Sequence, residues 1–507
     1  MAEVLLDGKT LTPAALERAA RGATVGLDDD ARARMEETAR WYRNNEPSDI
    51  IRRKWHWLGA GSPPQDSKQR IRTFIESHCG GVGEPLPKAQ VRAILAARAN
   101  VLATGTTGCR PECADALIEM LNRDVVPEVP GKGSVGSAAP APLAHILRVA
   151  CGFGGRALRN GVPTSAREAM AGLNFVEPTE KEALTLINGA TLTAALAGLT
   201  IPFAERLLHT AEMACALSFE VVRADPDCLS PLAIGRRNHP GAIGVASRLR
   251  HLLQGSQLVV PGRNPDPFSI RCAPAVLGAA QDALQYVKTV VQRELNGACD
   301  NPLVFPETGT VEAGNFHAAP VALAMDHLKV ALTQVASIAE RRVFRMTYGQ
   351  LSGLPSFLVP NTGLNSGLML AQYTAASLVS ECKVLAHPAS VDSIPTVQHL
   401  EDHVSMGPTA ARGALTILEI LADVIAIELL CAAQGLDFHI RGRAVDPSGK
   451  LVEVPSRQPG HHTRQAWEAV RQMVEPWEDD RALHPELEVL GSAVRGGLFS
   501  YNIDEEE

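Results

Sequence analysis

Aromatic residues and paired cysteines are scarce in this chain of 507 residues. Phe, Trp and Tyr make up only 4% of it, and stretches that alternate apolar and polar residues, as half-buried strands do, are few. The ten cysteines form no CxxC pair and no regular spacing, which argues against structural zinc and against a disulfide framework. These absences favour a mainly helical protein of a reducing compartment, and we expect the cytoplasm.

The chain also has no excess of positively charged residues. The formal net charge is −8, so the overall composition does not attract the chain to nucleic acid or to an anionic membrane. The first residues lack the basic segment and apolar run of a signal peptide. The most apolar stretch, residues 413–436, is interrupted by Glu419, Asp423 and Glu428, which would be costly inside a bilayer. We therefore expect neither a nucleic-acid partner nor a membrane partner.

Helical periodicity is what the chain has instead. Residues 12–22 and 28–44 begin with hydroxyl or acidic residues and carry apolar residues at helical spacing. Residues 315–346 place six apolar side chains on one stripe, and Pro408 precedes a helix that is apolar almost all round, as in the centre of a bundle. The fold class is therefore mainly α. No low-complexity linker divides the chain, so we expect a single unit, with residues 1–200 as its N-terminal part and residues 201–507 as the helical bundle and C-terminal helices.

Two generic motifs mislead. Gly131, Gly133 and Gly136 satisfy the pattern GxGxxG, but no strand precedes them and no βαβ unit surrounds them, as a dinucleotide site requires. His399 and His403 flank Glu401 in the sequence HLEDH, yet no third ligand is apparent. We expect no metal site.

Nine segments, taken together, resemble the aromatic amino acid ammonia-lyase family, and its histidine-selective members most of all. They occur in the family's order and span most of the chain: SHCGGVGEPL (77–86), GSVGSAAPAPLAH (133–145), KEALTLINGA (181–190), DPFSIRCAP (266–274), CDNPLVF (299–305), GNFHAAPVALAMD (314–326), SIAERR (337–342), SECKVLAHPASVDSIPT (380–396) and LEDHVSMG (400–407). The resemblance implies the histidine/phenylalanine ammonia-lyase fold, with a long central helical bundle. It also implies a homotetramer with active sites shared between subunits.

The resemblance includes one altered loop. The family makes a methylidene-imidazolone electrophile (MIO) from Ala-Ser-Gly within GSVGASGDLAPLAH, and residues 133–145 are one residue shorter. Aligned from the left, the triad becomes Ser137-Ala138-Ala139, which has no central hydroxyl. Aligned from the right, it becomes Gly136-Ser137-Ala138, which keeps the serine but replaces the glycine whose nitrogen must attack. We therefore expect a degenerate loop that forms no MIO, and no cofactor.

Two further family positions have changed. The loop with the family's catalytic tyrosine resembles KWHWLGAG (54–61), where Lys54 stands in the tyrosine's place. Lys54 is thus an acid/base candidate or a former of a Schiff base, unless it is a solvated loop residue. A second tyrosine has become Phe268 and a glutamine has become Pro265. Because three parts of the family's chemistry have changed together, redirected chemistry is at least as plausible as drift.

Other pocket positions are retained. Arg271 matches the arginine that binds the substrate carboxylate, a role suited to its planar fork. Asn188 matches the asparagine beside the electrophile, and His78 and Glu401 match residues near the substrate side chain in histidine-selective members. Each also has a structural interpretation: an ion pair for Arg271, a core position for His78 and a helix-capping charge for Glu401. Further matches to the family's pocket are Asn301 and Phe316.

These observations predict a MIO-independent, lyase-like enzyme of specialised metabolism. It would add, eliminate, cyclise or isomerise on a small carboxylate derived from an amino acid. Lys54, His78 and Glu401 would be its catalytic residues, and Arg271, Asn188, Asn301, Phe316 and Phe268 would bind the substrate. One alternative is a true histidine or aromatic amino acid ammonia-lyase with MIO formed from Gly136-Ser137-Ala138. The other is a non-catalytic homologue that binds a ligand or partner.

Overall fold

The computed structural model describes residues 2–57, 65–137, 141–262, 266–446 and 448–501, without the side chains of residues 54–57. The chain divides into two compact units. Unit 1 comprises Met1–Pro202, Val287–Asp326 and Pro388–Arg412, and unit 2 comprises Phe203–Tyr286, His327–His387 and Gly413–Glu507. The mainly helical prediction is confirmed.

The helices of the described residues are α1 (Pro13–Arg21), α2 (Asp29–Asn45), α3 (Ile50–Trp57), α4 (Ser67–Ser77), α5 (Lys88–Ala103), α6 (Pro111–Asn122), α7 (Ala141–Ala150), α8 (Ala166–Ala169), α9 (Glu180–Ile187), α10 (Thr191–Val221), α11 (Pro231–Gly235), α12 (Pro240–Leu252), α13 (Phe268–Arg271), α14 (Ala273–Leu295), α15 (Ala319–Thr347), α16 (Gly349–Ser352), α17 (Met369–Leu385), α18 (Gly407–Ile440), α19 (His461–Met473) and α20 (His484–Gly496). Three 3₁₀ turns lie at Pro226–Leu229, Ser356–Leu358 and Val397–His399. The strands are β1 (Val4–Leu6), β2 (Val25–Leu27), β3 (Val82–Pro85), β4 (Val125–Pro127), β5 (Pro130–Lys132), β6 (Arg156–Arg159), β7 (Val162–Ser165), β8 (Leu303–Phe305), β9 (Gly309–Val311), β10 (Arg443–Val445) and β11 (Leu451–Glu453).

Unit 1 is built around α5, which is buried along nearly its whole length. Helices α1 and α6 pack against it, and this is possible because its Ala, Val, Ile and Leu residues point in all directions. Helix α9 starts at a capping box, in which Thr179 and Glu182 each bind the other's backbone N–H. This box fixes where α9 begins, and hence where Asn188 follows its last turn.

A short antiparallel pair, β3 with β5, positions the first part of the candidate site. Val82 pairs with Lys132, and Pro85 pairs with Pro130. Because the strands run in opposite directions, the residues that precede β3 and those that follow β5 lie at the same end of the pair. His78 ends α4 four residues before β3, and Gly136 lies four residues after β5. The sheet therefore directs two distant segments to one place.

Three long helices of unit 2 share a buried charge pair. Arg342 on α15 donates from Nε and Nη2 to Glu428 on α18, at 2.5 and 2.9 Å. Ser218 on α10 donates to the same carboxylate at 2.6 Å. Both charged side chains are fully buried, and such charges are tolerated only when they are paired. This three-residue contact therefore fixes α10, α15 and α18 to one another within unit 2.

The long apolar segments form helices as expected. Most of the segment 315–346 lies in α15, which begins at Ala319. Five residues of its apolar stripe are fully buried, namely Val321, Met325, Leu328, Leu332 and Val335, and the sixth, Ile338, is half-buried. The apolar segment after Pro408 lies within α18, which is buried along most of its length. By length and composition alone, Glu180–Val221 and Ala319–Thr347 could cross a membrane, but buried helices of a large protein core meet the same test.

Candidate active site

The hydroxyl of Ser137 is held by Glu401 in unit 1. Ser137 Oγ donates to Glu401 Oε2 at 2.8 Å, and Thr396 Oγ1 donates to the same oxygen at 2.7 Å. Ser137 is only 4% exposed and Glu401 is half-buried, so this contact is partly shielded from water. The carboxylate thus lies directly against the serine at the centre of the altered loop, although 264 residues separate the two in the chain.

Gly136 occupies a position that only glycine fits. Its φ is +79°, a left-handed conformation that is costly for residues with a side chain. A Cβ here would lie 2.3 Å from Ser405 Oγ and 2.9 Å from the backbone nitrogen of Gly407. The backbone around it is also fixed, since the N–H of Met406 donates to the carbonyl of Val135 at 2.8 Å. The segment before α18 is therefore packed closely against the altered loop.

His78 ends helix α4 and is half-buried. Its Nδ1 lies 2.7 Å from the carbonyl oxygen of Phe74, and the two rings are 4.4 Å apart. Burial lowers the pKa of His78 below its ordinary value, although the hydrogen bond to Phe74 and the charge of Glu401 both act to raise it. A carbonyl can only accept, so Nδ1 carries the proton and Nε2 carries the lone pair. The ring is suited to accept a proton at Nε2.

Asn188 is fixed by a buried polar network. Its Nδ2 donates to Asp300 Oδ1 at 3.0 Å and to the carbonyl of Asn301 at 3.1 Å. Lys181 Nζ donates to Asp300 Oδ2 at 2.9 Å, and Thr185 Oγ1 donates to the same oxygen at 2.8 Å. Burial alone would raise the pKa of Asp300, but Lys181 and other donors hold it below its ordinary value. Asp300 is therefore a buried anion that orients the amide of Asn188.

Asn301 and Phe316 lie in the same unit. The side-chain amide of Asn301 donates to Glu312 Oε2 and accepts from the N–H of Ala313, both at 2.6 Å. Its hydrogen-bonding groups are therefore occupied by nearby residues of the same chain. A cis peptide bond joins Asn301 to Pro302. Phe316 is half-buried shortly before α15. Substrate binding by either residue stays a prediction.

Other predicted residues belong to unit 2 or lie partly or wholly outside the described residues. Arg271 and Phe268 are exposed on α13 in unit 2. Lys54 lies in α3, but its side chain is outside the described part of the protein, as are the whole of Ala138 and Ala139. Their proposed roles stay predictions. Within the described ranges, no three His, Cys, Asp or Glu side chains converge as metal ligands.

Four polar residues of this region carried no separate signal in the sequence. Thr396, Ser405, Lys181 and Asp300 all lie in segments that resemble the family, beside the positions to which the resemblance gives a role. Only the fold shows that Thr396 contacts Glu401 and that Ser405 contacts the altered loop. It also shows that Asp300, which Lys181 holds, orients Asn188.

The chain is similar to known proteins over nearly its whole length. The model of the family described as aromatic amino acid lyase matches residues 11–472. Histidine ammonia-lyase of Anaeromyxobacter sp. (strain K) is 42% identical over 523 residues, covering 98% of this chain and 100% of that protein. Histidine ammonia-lyase of Symbiobacterium thermophilum is 45% identical over 433 residues, covering 84% and 82%. The crystal structure of histidine ammonia-lyase from Trypanosoma cruzi has a TM-score of 0.88 and 35% identity, and covers 98% of this chain and 94% of that one.

The comparisons confirm the predicted fold and correct two other predictions. The chain has the histidine/phenylalanine ammonia-lyase fold, with long helices. The prediction of a MIO-independent lyase is wrong, because relatives about 42% identical over nearly the full chain are named histidine ammonia-lyase. The prediction that no cofactor is needed is wrong for the same reason, since these relatives imply the MIO.

Proposed function

This chain belongs to the aromatic amino acid lyase family, and on that premise we propose that it eliminates ammonia from histidine or a closely related amino acid. The observation that carries the proposal is the contact between Ser137 and Glu401. The resemblance assigns electrophile formation to the loop that contains Ser137, and proximity to the substrate side chain to Glu401. In this chain the two groups touch, so a substrate near one is near the other.

The residues around Ser137 fit a MIO formed from Gly136-Ser137-Ala138. Ser137 keeps the hydroxyl that must be eliminated, and it is buried. Asn188, which the resemblance places beside the group, has a buried Oδ1 without a hydrogen-bond partner among the described residues. Such an acceptor is costly unless a ligand or group satisfies it. The departure from the family is Ala138, which lies outside the described residues. When present, the MIO supplies an electron-poor alkene that no ordinary side chain offers.

The protein's own side chains would bind the substrate and move its protons. The lowered pKa of His78 keeps its ring neutral at pH 7, so Nε2 can accept a proton. Glu401 presents a carboxylate to the imidazole of the substrate. Arg271, exposed on α13, offers two parallel hydrogen bonds to the substrate carboxylate. Lys54 remains the acid/base candidate on α3.

Assembly as a homotetramer with shared sites is part of the same proposal. Large apolar side chains of α17 in unit 2 are exposed, among them Tyr373 and Val384. Several large apolar side chains exposed on one helix are consistent with a face that a partner covers. Light scattering after size-exclusion chromatography measures the assembly directly, and a monomer at working concentration would contradict this part of the proposal.

The test joins intact mass with ammonia release. The wild-type chain should be lighter than its sequence by two waters, and should release ammonia from histidine faster than from tyrosine or phenylalanine. Ser137→Ala should do neither. Ser134→Ala is the matched control, because Ser134 lies in the same loop and makes only a weak 3.4 Å contact with the N–H of Gly136. A wild-type chain of unmodified mass that releases no ammonia would refute the proposal.

A further inference from the structure

The carbonyl oxygen of Gly136 receives two hydrogen bonds. Ser405 Oγ donates to it at 2.8 Å, and the backbone N–H of Ala318 donates at 3.3 Å. Both donors are buried, at 3% and 0% exposure, and they come from segments far from the loop in sequence. Fixed donors directed at one carbonyl, away from water, are the arrangement that stabilises negative charge on that oxygen during acyl chemistry.

The hydroxyl proton of Ser405 has only one described destination. Its Oγ accepts a hydrogen bond from the N–H of Gly407 at 3.2 Å, and that contact fixes the side chain on the N-terminal end of α18. A serine hydroxyl has a single proton, and here it points to the Gly136 oxygen. The donor is thus oriented before any reaction, so no reorganisation is needed when charge develops.

The next residue in the loop is held in a complementary way. Ser137 Oγ donates to Glu401 Oε2, and Thr396 fixes that carboxylate from the other side. The carbonyl oxygen of Gly136 is therefore held by Ser405 and the N–H of Ala318. The hydroxyl of the next residue, Ser137, is held by Glu401. These are the two oxygens that must leave as water if a ring closes across Gly136, Ser137 and Ala138.

We propose that Ser405 and the N–H of Ala318 catalyse ring closure at the Gly136 carbonyl, and that Glu401 then catalyses loss of the Ser137 hydroxyl. This maturation role rests on the proposed function, since only a chain that makes the MIO requires it. It gives Glu401 two successive tasks, the first on its own chain and the second on the substrate.

The chemistry balances without an oxidant or a reductant. The backbone nitrogen of residue 138 bonds to the carbonyl carbon of Gly136, and the carbonyl oxygen takes up charge while Ser405 and Ala318 stabilise it. That oxygen leaves as the first water, with the proton of the residue-138 nitrogen and the amide proton of Ser137. The Ser137 hydroxyl leaves as the second water with the Cα proton of the same residue, and Glu401 carries the proton between them.

The experiment follows intact mass with time after synthesis, under denaturing conditions, with folding checked by circular dichroism. The wild type should lose two waters. Ser405→Ala should mature about 10²- to 10³-fold more slowly, the usual effect of removing one such donor. Ser393→Ala is the matched control, because Ser393 Oγ lies in the same segment and only accepts from the N–H of Val404, at 3.0 Å; it should mature like the wild type.

Glu401→Gln provides a second, independent readout. It keeps the size of the side chain but cannot carry the proton, so a species lighter by a single water should accumulate. If folded Ser405→Ala and Glu401→Gln both lose two waters at the wild-type rate, the maturation proposal is overturned while the proposed function stands. A wild-type chain that loses two waters but releases no ammonia from histidine, tyrosine or phenylalanine refutes the proposed function alone. A wild-type chain of unmodified mass overturns the maturation proposal, and it overturns the proposed function as well if it releases no ammonia.

Discussion

Replacing Lys181 by methionine should strongly destabilise unit 1, because it leaves a buried anion without its main partner. Lys181 is 2% exposed and Asp300 is 0% exposed, with Nζ and Oδ2 2.9 Å apart. Removing one member of such a pair costs about 3–5 kcal/mol, since the remaining charge keeps its full desolvation penalty. Methionine has a similar length, so lost packing contributes little to the expected effect.

The chain offers a matched control on its surface. Lys88 Nζ and Asp124 Oδ2 lie 2.7 Å apart, but these side chains are 45% and 28% exposed. Lys88→Met should therefore cost about 0–1 kcal/mol. The two variants remove the same chemical group at nearly the same distance from a carboxylate, and the two sites differ strongly in burial. Lys181 also donates to Thr185 and to the carbonyl of Pro302. Asp124, by contrast, keeps Arg92 as a partner when Lys88 is replaced.

Hydrogen exchange read by mass spectrometry, on peptides from α9 and β8, measures the effect locally. A loss of about 3–5 kcal/mol corresponds to opening about 10²- to 10⁴-fold more often. The loss should shrink at low pH, because Asp300 without Lys181 becomes protonated more easily and then buries no charge. Equal effects of Lys181→Met and Lys88→Met, or a loss that grows as the pH falls, would refute the reasoning.

Three further predictions concern other positions. Gly136→Ala should cost at least about 1–3 kcal/mol through strain at its positive φ and should block the loss of water; a thermal melt and an intact mass like those of the wild type would contradict this. Burial raises the pKa of Glu220 to about 7, so the stability of unit 2 should fall as the pH rises from the unfolded value of 4.5 through 7. Glu220→Gln should lack that fall and should be about 3 kcal/mol more stable than the wild type at pH 8. Denaturant titrations at pH 5 and pH 8 measure the free energy of unfolding, and an equal change between the two pH values in both proteins would contradict this prediction. His78 should show a pKa below 6.5 when the exchange of its ring C2 hydrogen is followed by mass spectrometry, and Glu401→Gln should lower it further by removing the charge that raises it; a pKa that stays at 6.5 in both proteins would disprove the assigned environment.

The helices could be predicted from the sequence because their signals are local. Thr12 and Asp28 cap α1 and α2 as expected, and the apolar stripe of α15 is the buried one. The strands could not be predicted, because each spans only three or four residues and an alternating pattern needs more. Strands this short are defined by their partners rather than by their own residues.

The site was predictable only in part, for a similar reason. Ser137 and Glu401 were both identified through the resemblance, but their contact joins residues 264 positions apart and has no local signature. The same holds for Ser405 and Gly136. Loss of the family's glycine at residue 138 was visible in the sequence, whereas the donors arranged around the carbonyl two residues earlier were not.

The buried pair of Arg342 and Glu428, with Ser218, also constrains the order of events during synthesis on the ribosome. Its three members are spread over more than two hundred residues of the chain. Until residue 428 has emerged from the exit tunnel, Arg342 has no anion to meet within the core and is better solvated outside it. We therefore expect the core of unit 2 to close only late in translation, and a nascent chain stalled before α18 to depend on chaperones that a completed chain does not need.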